Sequence, residues 1–203
     1  MKHLCAVLLA FMIAGCMNPP YQPQNIEVSG AYTQADTGII FPPTSGIFRR
    51  VEMLRIDERA SHIYVGYNSE LIALPIIVSV YVYPGPQIIS IGSPPEVIAT
   101  ARQKLLLDQQ AEQKQGIVNA HPGGRLIAEN AVTLLYSGQS VPGLRVDYEF
   151  HELFQGEVQK VNSALYLFDL GDSMLKFRIS SPASVDSEAP VAKLMAELAS
   201  TAP

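Results

Sequence analysis

The 203-residue chain has no tryptophan and only two cysteines, Cys5 and Cys16. Cys5 lies inside an N-terminal apolar run with the layout of a secretion signal: a charged start at Lys2, apolar residues from Leu4 to Ile13, then small residues Ala14 and Gly15 before Cys16. Removing that leader leaves Cys16 alone, so no disulfide is expected and the exported domain must rely on a packed core. The apolar run is also too short to span a bilayer, which takes about 20 residues; Asn18, Pro19 and Pro20 follow it closely. Basic excess is missing as well. Lys and Arg number 14 against 19 Asp and Glu. Losing Lys2 takes the net charge from −5 to −6, and a nucleic-acid binder would instead show a basic stripe. No internal repeat is discernible.

What is present begins with the junction Ile13-Ala14-Gly15-Cys16. It resembles the lipobox of bacterial lipoprotein precursors. The resemblance implies that residues 1–15 are cleaved, that the Cys16 thiol carries a diacylglyceryl group, and that the new amine is acylated. Anchoring by two or three chains is stable, because each buried methylene contributes roughly 0.8 kcal/mol and one chain alone is marginal. In diderm lipoproteins Asp after the Cys signals inner-membrane retention; here that residue is Met17, which points to the outer membrane, facing the periplasm. The competing readings are a transmembrane helix and an ordinary cleavage site with an unmodified Cys16. The mature part keeps 188 of the 203 residues, enough for a single domain. Residues 16–30, rich in Pro, Gln and Asn, read as a lipidated N-terminus and short tether. The folded domain is expected over 31–203.

Within that domain, Phe48 to Ile56, Ile63 to Tyr67 and Ile76 to Tyr83 read as strands, the last two dense in β-branched and aromatic residues. Ile76, Val78, Val80 and Val82 share one face and Ile77, Ser79, Tyr81 and Tyr83 the other. This suits a central strand with a helix on one side and something partly polar on the other. Ser93-Pro94-Pro95-Glu96 has the form of a capped helix start and Gly116 of its stop, with Val97, Ile98, Ala101 and Leu105 as the apolar face. Its second half, Asp108 to Gln115, has almost nothing apolar. After the loop His121-Pro122-Gly123-Gly124-Arg125, Leu126 to Ala131 allows one helical turn at most. Strands are expected at Ala131 to Tyr136, Leu144 to Phe154, Ala164 to Phe168 and Met174 to Ile179, the last two as a hairpin. A final helix from about Ala189 carries Val191, Leu194, Met195 and Leu198 at spacings of three and four. The expected fold is α+β: a mainly antiparallel sheet with two packing helices. The stretches Gly38 to Pro42, Val65-Gly66-Tyr67, Val80 to Pro84 and Leu175 to Arg178 resemble a family of uncharacterised bacterial envelope proteins, and the element order is similar to PsbP/Mog1-like domains. Neither resemblance implies an activity.

Candidate chemistry is sparse. Ser137-Gly138-Gln139-Ser140 does not match the G-x-S-x-G nucleophile elbow. His151-Glu152 opens like a zinc-protease motif, but Gln155 stands where the second imidazole belongs. His62, His121 and His151 have no ligand spacing, so no metal and no cofactor are expected. Gly123-Gly124-Arg125 offers amides and a cation to a phosphate, but such a nest normally leads into a helix N-terminus. Tyr64, Tyr67, Tyr81, Tyr83, Tyr148 and Tyr166 all fall in strands and suit sheet packing, with Tyr81 and Tyr83 as a candidate exposed platform. The best candidate binding face is Arg145, Asp147, Glu149 and His151, alternating with Leu144, Val146, Tyr148 and Phe150, and met by Lys176 from the last hairpin in a ladder of opposite charges. The sequence therefore favours a membrane-anchored lipoprotein with a non-enzymatic binding or accessory role, its partner an envelope protein or component and not nucleic acid. The alternative is an envelope hydrolase whose residues meet only in three dimensions.

Overall fold

A computed structural model describes residues 21–88 and 91–200; the leader and Cys16 lie outside the described residues. In chain order the elements are β1 (Gln24–Asn25), β2 (Tyr32–Thr33), β3 (Ile40–Phe41), β4 (Thr44–Ser45), β5 (Phe48–Arg55), β6 (Ile63–Ser69), β7 (Ile77–Pro84), α1 (Pro95–Ala120), β8 (Arg125–Tyr136), β9 (Gln139–Phe154), β10 (Glu157–Asp169), β11 (Ser173–Pro182) and α2 (Glu188–Ser200). The fold is α+β. One antiparallel sheet runs β1-β5-β6-β7-β11-β10-β9-β8, with β4 also pairing β5. β1 recruits Gln24 and Asn25 to the edge of β5, and Arg50 Nη2 donates to the carbonyls of Val28 and Gly30 at 2.8 and 2.7 Å. Part of the stretch expected to act as a tether thus belongs to the sheet.

The C-terminal half is a meander of long strands joined by tight turns. Ser137-Gly138 and Gln155-Gly156 each place two successive residues at positive φ, 48° and 76° in the first pair and 52° and 89° in the second. Two-residue turns with that sign match the right-handed twist of the flanking strands. Ser137 therefore sits in a hairpin turn and not in a nucleophile elbow. β8 starts at Arg125, where one helical turn at most was expected; its pairing to β9 shifts between Leu126 and Ala128, and such a bulge interrupts the alternation that marks a strand.

The two helices cover opposite faces of the sheet. The face under α2 carries Met53, Val65, Tyr67, Val78, Val80, Phe177 and Ile179, and α2 adds Val191, Leu194, Met195, Leu198 and Ala199. The sheet curls around this helix: Ser45 Oγ on β4 donates to Glu197 Oε2 at 2.6 Å, and the Ser137 amide beyond β8 donates to the Ala199 carbonyl at 3.2 Å. The face under α1 carries Tyr83, Leu144, Val146, Tyr148, Phe150, Leu165, Leu167 and Met174. β7 contributes Ile77, Ser79, Tyr81 and Tyr83 to it, and its cover is indeed partly polar.

α1 differs from expectation in its start, its end and its orientation. Pro94 stands at the cap position without a side-chain hydrogen bond, so Ser93 does not cap the helix, which passes through Gly116 to Ala120. Val97 and Leu105 are 53 % and 40 % exposed. The residues turned to the sheet are Arg102, Leu106, Gln109, Gln113 and Ile117, one continuous stripe at spacings of three and four. Arg102 shows why polar residues take this side: it donates to Asp169 at 2.6 and 3.2 Å and to the Pro86 carbonyl at 3.2 Å, tying the helix to the loop after β7 and the end of β10.

Candidate functional site

The polar face of β9 does line a groove. Alternation buries Leu144, Val146, Tyr148 and Phe150 and leaves Arg145, Asp147 and Glu149 partly exposed on the other side. Cross-strand pairing sets Tyr166 beside Arg145, Ala164 beside Asp147 and Asn162 beside Glu149. The segment between β11 and α2, residues 183–187, forms the opposite wall, and the space enclosed is about 630 Å³. Asp186 Oδ1 accepts from the Glu188 amide at 3.0 Å, which fixes the entry into α2 and the position of the Glu188 side chain.

Arg145 organises this groove. Its Nε donates to both Asp147 oxygens at 3.0 and 3.1 Å, its Nη1 donates to Glu188 Oε1 at 2.7 Å, and the guanidinium lies 5.3 Å from the centre of the Tyr166 ring. The Glu188 hydrogen bond, with that of Asp147, raises the Arg145 pKa above its already high ordinary value despite partial burial. Glu149 is held by Lys160 at 2.6 Å and by Arg125 at 3.2 Å, and these cations, Lys160 first, keep its carboxyl below the usual carboxylate range. The lining carries Asp147, Glu149, Asp186 and Glu188 against Arg145. Arg145, with Lys160 and Arg125 on Glu149, offsets three of these four negative charges, so the groove presents a slight negative excess to a ligand.

One of the five residues expected on this face lies on the other side of the sheet, and a second continues the face beyond the groove. His151 is exposed, opposite Lys160 and outside the groove lining. Lys176 points to the other side of the sheet. It pairs with Leu167, which in turn pairs with Leu144, whereas Arg145 shares its face with Tyr166 and Phe177. The charge ladder with Lys176 does not form, because successive strand residues alternate faces and Lys176 falls on the odd step.

On that other side Lys176 meets a second polar cluster, which sequence reasoning missed. Its Nζ lies 3.9 Å from the centre of the Tyr81 ring and donates to Gln113 Oε1 of α1 at 3.0 Å. Tyr81 and Tyr83 are thus covered by α1 and form no exposed platform. Arg178 donates to His121 Nε2, while His121 Nδ1 meets Glu152 Oε2 at 2.5 Å and the ring stacks on Phe150 at 4.3 Å. A guanidinium can only donate, so Nε2 accepts and the imidazole proton resides on Nδ1, facing the carboxylate. Both His121 nitrogens are thereby engaged in a structural relay. The one available signal was Lys176 and Arg178 two apart on a strand, hence on one face. Gly123-Gly124 leads into β8 and not into a helix, and a Cβ on Gly124 would lie 2.5 Å from the Phe150 ring, so close packing explains that glycine. His62 lies 5.6 Å from Tyr83, and burial lowers its pKa. Among the described residues no cluster of three or more His, Cys, Asp or Glu could hold a metal ion, and no helix is long and apolar enough to cross a membrane.

No protein-family profile matches the chain, and a search of curated proteins finds no match to it.

Proposed function

We propose that this protein is a lipoprotein of the bacterial envelope, anchored through Cys16 to the outer membrane and facing the periplasm, with a binding or accessory role exercised by the groove between β9, β10 and the entry to α2. The anchor rests on the Ile13-Ala14-Gly15-Cys16 junction. The observation that carries the binding role is the Arg145 network: a guanidinium fixed between Asp147 and Glu188 holds carboxylates in position along an open groove of about 630 Å³. Preorganised carboxylates recognise cations at little ordering cost. The partner is therefore an envelope protein that offers an extended segment bearing Lys or Arg.

A photo-crosslinker at Asn162, in the groove floor, is the test. It should trap one discrete envelope protein in cells, and Glu188→Lys should reduce that adduct at least tenfold. Trapping no stronger than from a crosslinker at Ile72, which is 96 % exposed and outside the groove, would overturn the binding role. The anchor is tested separately. Mass spectrometry of the membrane fraction should find an acylated peptide beginning at Cys16, and a soluble form starting elsewhere would contradict it.

A further inference from the structure

We propose that the cavity between α1 and the sheet is a binding site for a small oxyanion, a carboxylate or a phosphate, held by Lys176 and Arg178. Alternation along β11 puts these two cations on the same face, opposite Tyr81 and Ser79 of β7. Leu165 closes the cavity from β10, while Glu112, Gln113, Gly116 and Ile117 of α1 form its other wall, around about 300 Å³. That volume suits an ion of a few heavy atoms.

The charge balance is what points to an anion. Among the described residues no carboxylate forms an ion pair with Lys176 or with Arg178. The Lys176 ammonium has three donors; an amide oxygen takes one and the Tyr81 ring face lies beside it. Arg178 gives one of its donors to His121, which accepts as a neutral imidazole. Burying charges without counter-charge is costly. Burial and the neighbouring Arg178 accordingly lower the Lys176 pKa to about 8. A bound oxyanion would supply the missing counter-charge, with Lys176 as a point charge and Arg178 as a planar donor.

Two neighbours shape the site. Gly116 leaves open space where a side chain would stand. A glycine inside a helix is unfavourable relative to alanine, and here it keeps the rim of the cavity low. Glu112 stands on the same rim, where its negative charge works against an entering anion.

The test is titration of the full chain with inorganic phosphate at constant ionic strength, followed by the NMR signal of the Lys176 Cε, with chloride as control and acetate as the carboxylate probe. Phosphate or acetate should bind saturably and at least tenfold more tightly than chloride. Lys176→Met should weaken it at least tenfold, read by calorimetry with the fold checked by circular dichroism. Gly116→Leu, which keeps both cations and fills the rim, should also weaken it at least tenfold, and Glu112→Gln should tighten it two- to fivefold. Equal binding of all three anions, or loss of less than twofold in Lys176→Met, would overturn the proposal.

Discussion

The two helices put opposite solutions on the two faces of one sheet. α2 is 13 residues long and buries Val191, Leu194, Met195, Leu198 and Ala199, whereas α1 is 26 residues long and fully buries Ile117. Length does not measure a helix's contribution to stability; matched apolar area does. α2 lies in the curl of the sheet against an apolar face. α1 lies over a face with cations and hydroxyls in it, and it turns Arg102, Gln109 and Gln113 towards them while Val97 and Leu105 face outward. The first face carries most of the apolar core, with the Arg145 groove at its margin, and the second holds a polar cluster under a cover fixed more by hydrogen bonds than by apolar packing.

The sharpest way to break this contrast is to truncate matched residues on the two helices. Leu198→Ala, at a fully buried position, should cost about 3–4 kcal/mol through lost transfer energy and a cavity. Leu106→Ala, on the partly buried stripe of α1, should cost about 1 kcal/mol. Denaturant midpoints with unchanged slopes would measure both. The α2 face should also resist added volume. A Cβ on Gly143 would overlap the Phe168 ring and lie 2.7 Å from the Leu167 carbonyl oxygen, so Gly143→Ala should cost about 2 kcal/mol.

The α1 face should instead gain from losing charge. The Lys176 pKa is depressed to about 8 from 10.5. Between those values the unfolded chain binds the proton that the folded chain has released, so wild-type stability rises with pH across that window and is flat from this group below it. Lys176→Met should therefore be more stable than wild type by on the order of 2 kcal/mol at pH 7. The advantage should shrink from about pH 8 towards pH 10.5, which thermal melts across that range would show. The smallest effect is at Gly116, where a methyl group meets nothing. Gly116→Ala should stabilise by about 0.5–1 kcal/mol in chemical denaturation, through helix propensity alone.

The same contrast decides what could be read from the sequence. α2 was legible because its apolar residues repeat at three and four, and β6 and β7 because their composition suits a buried strand on either face. Of the apolar face assigned to α1, Val97, Ala101 and Leu105 are exposed and Ile98 is partly buried: the inward stripe is half polar, and its hydrogen bonds to Asp169, Pro86 and Lys176 come from residues distant in sequence. Arg145, Asp147 and Glu149 came together as expected, since alternation on a single strand is a local property. Glu188, the second carboxylate on Arg145, was out of reach because it arrives from 43 positions away. Lys176 was placed on the wrong face because its parity relative to β9 depends on two hairpin registers, and one step moves every side chain across the sheet. The start of β8 was hidden by its bulge between Leu126 and Ala128.

Native-state hydrogen exchange, resolved by residue, tests the central claim most directly. Amides of α2 should exchange only through global unfolding, while amides of α1 should exchange through a local opening at least about 2 kcal/mol less costly. Equal protection of the two helices would contradict the division of the molecule into a structural face and a weakly covered one.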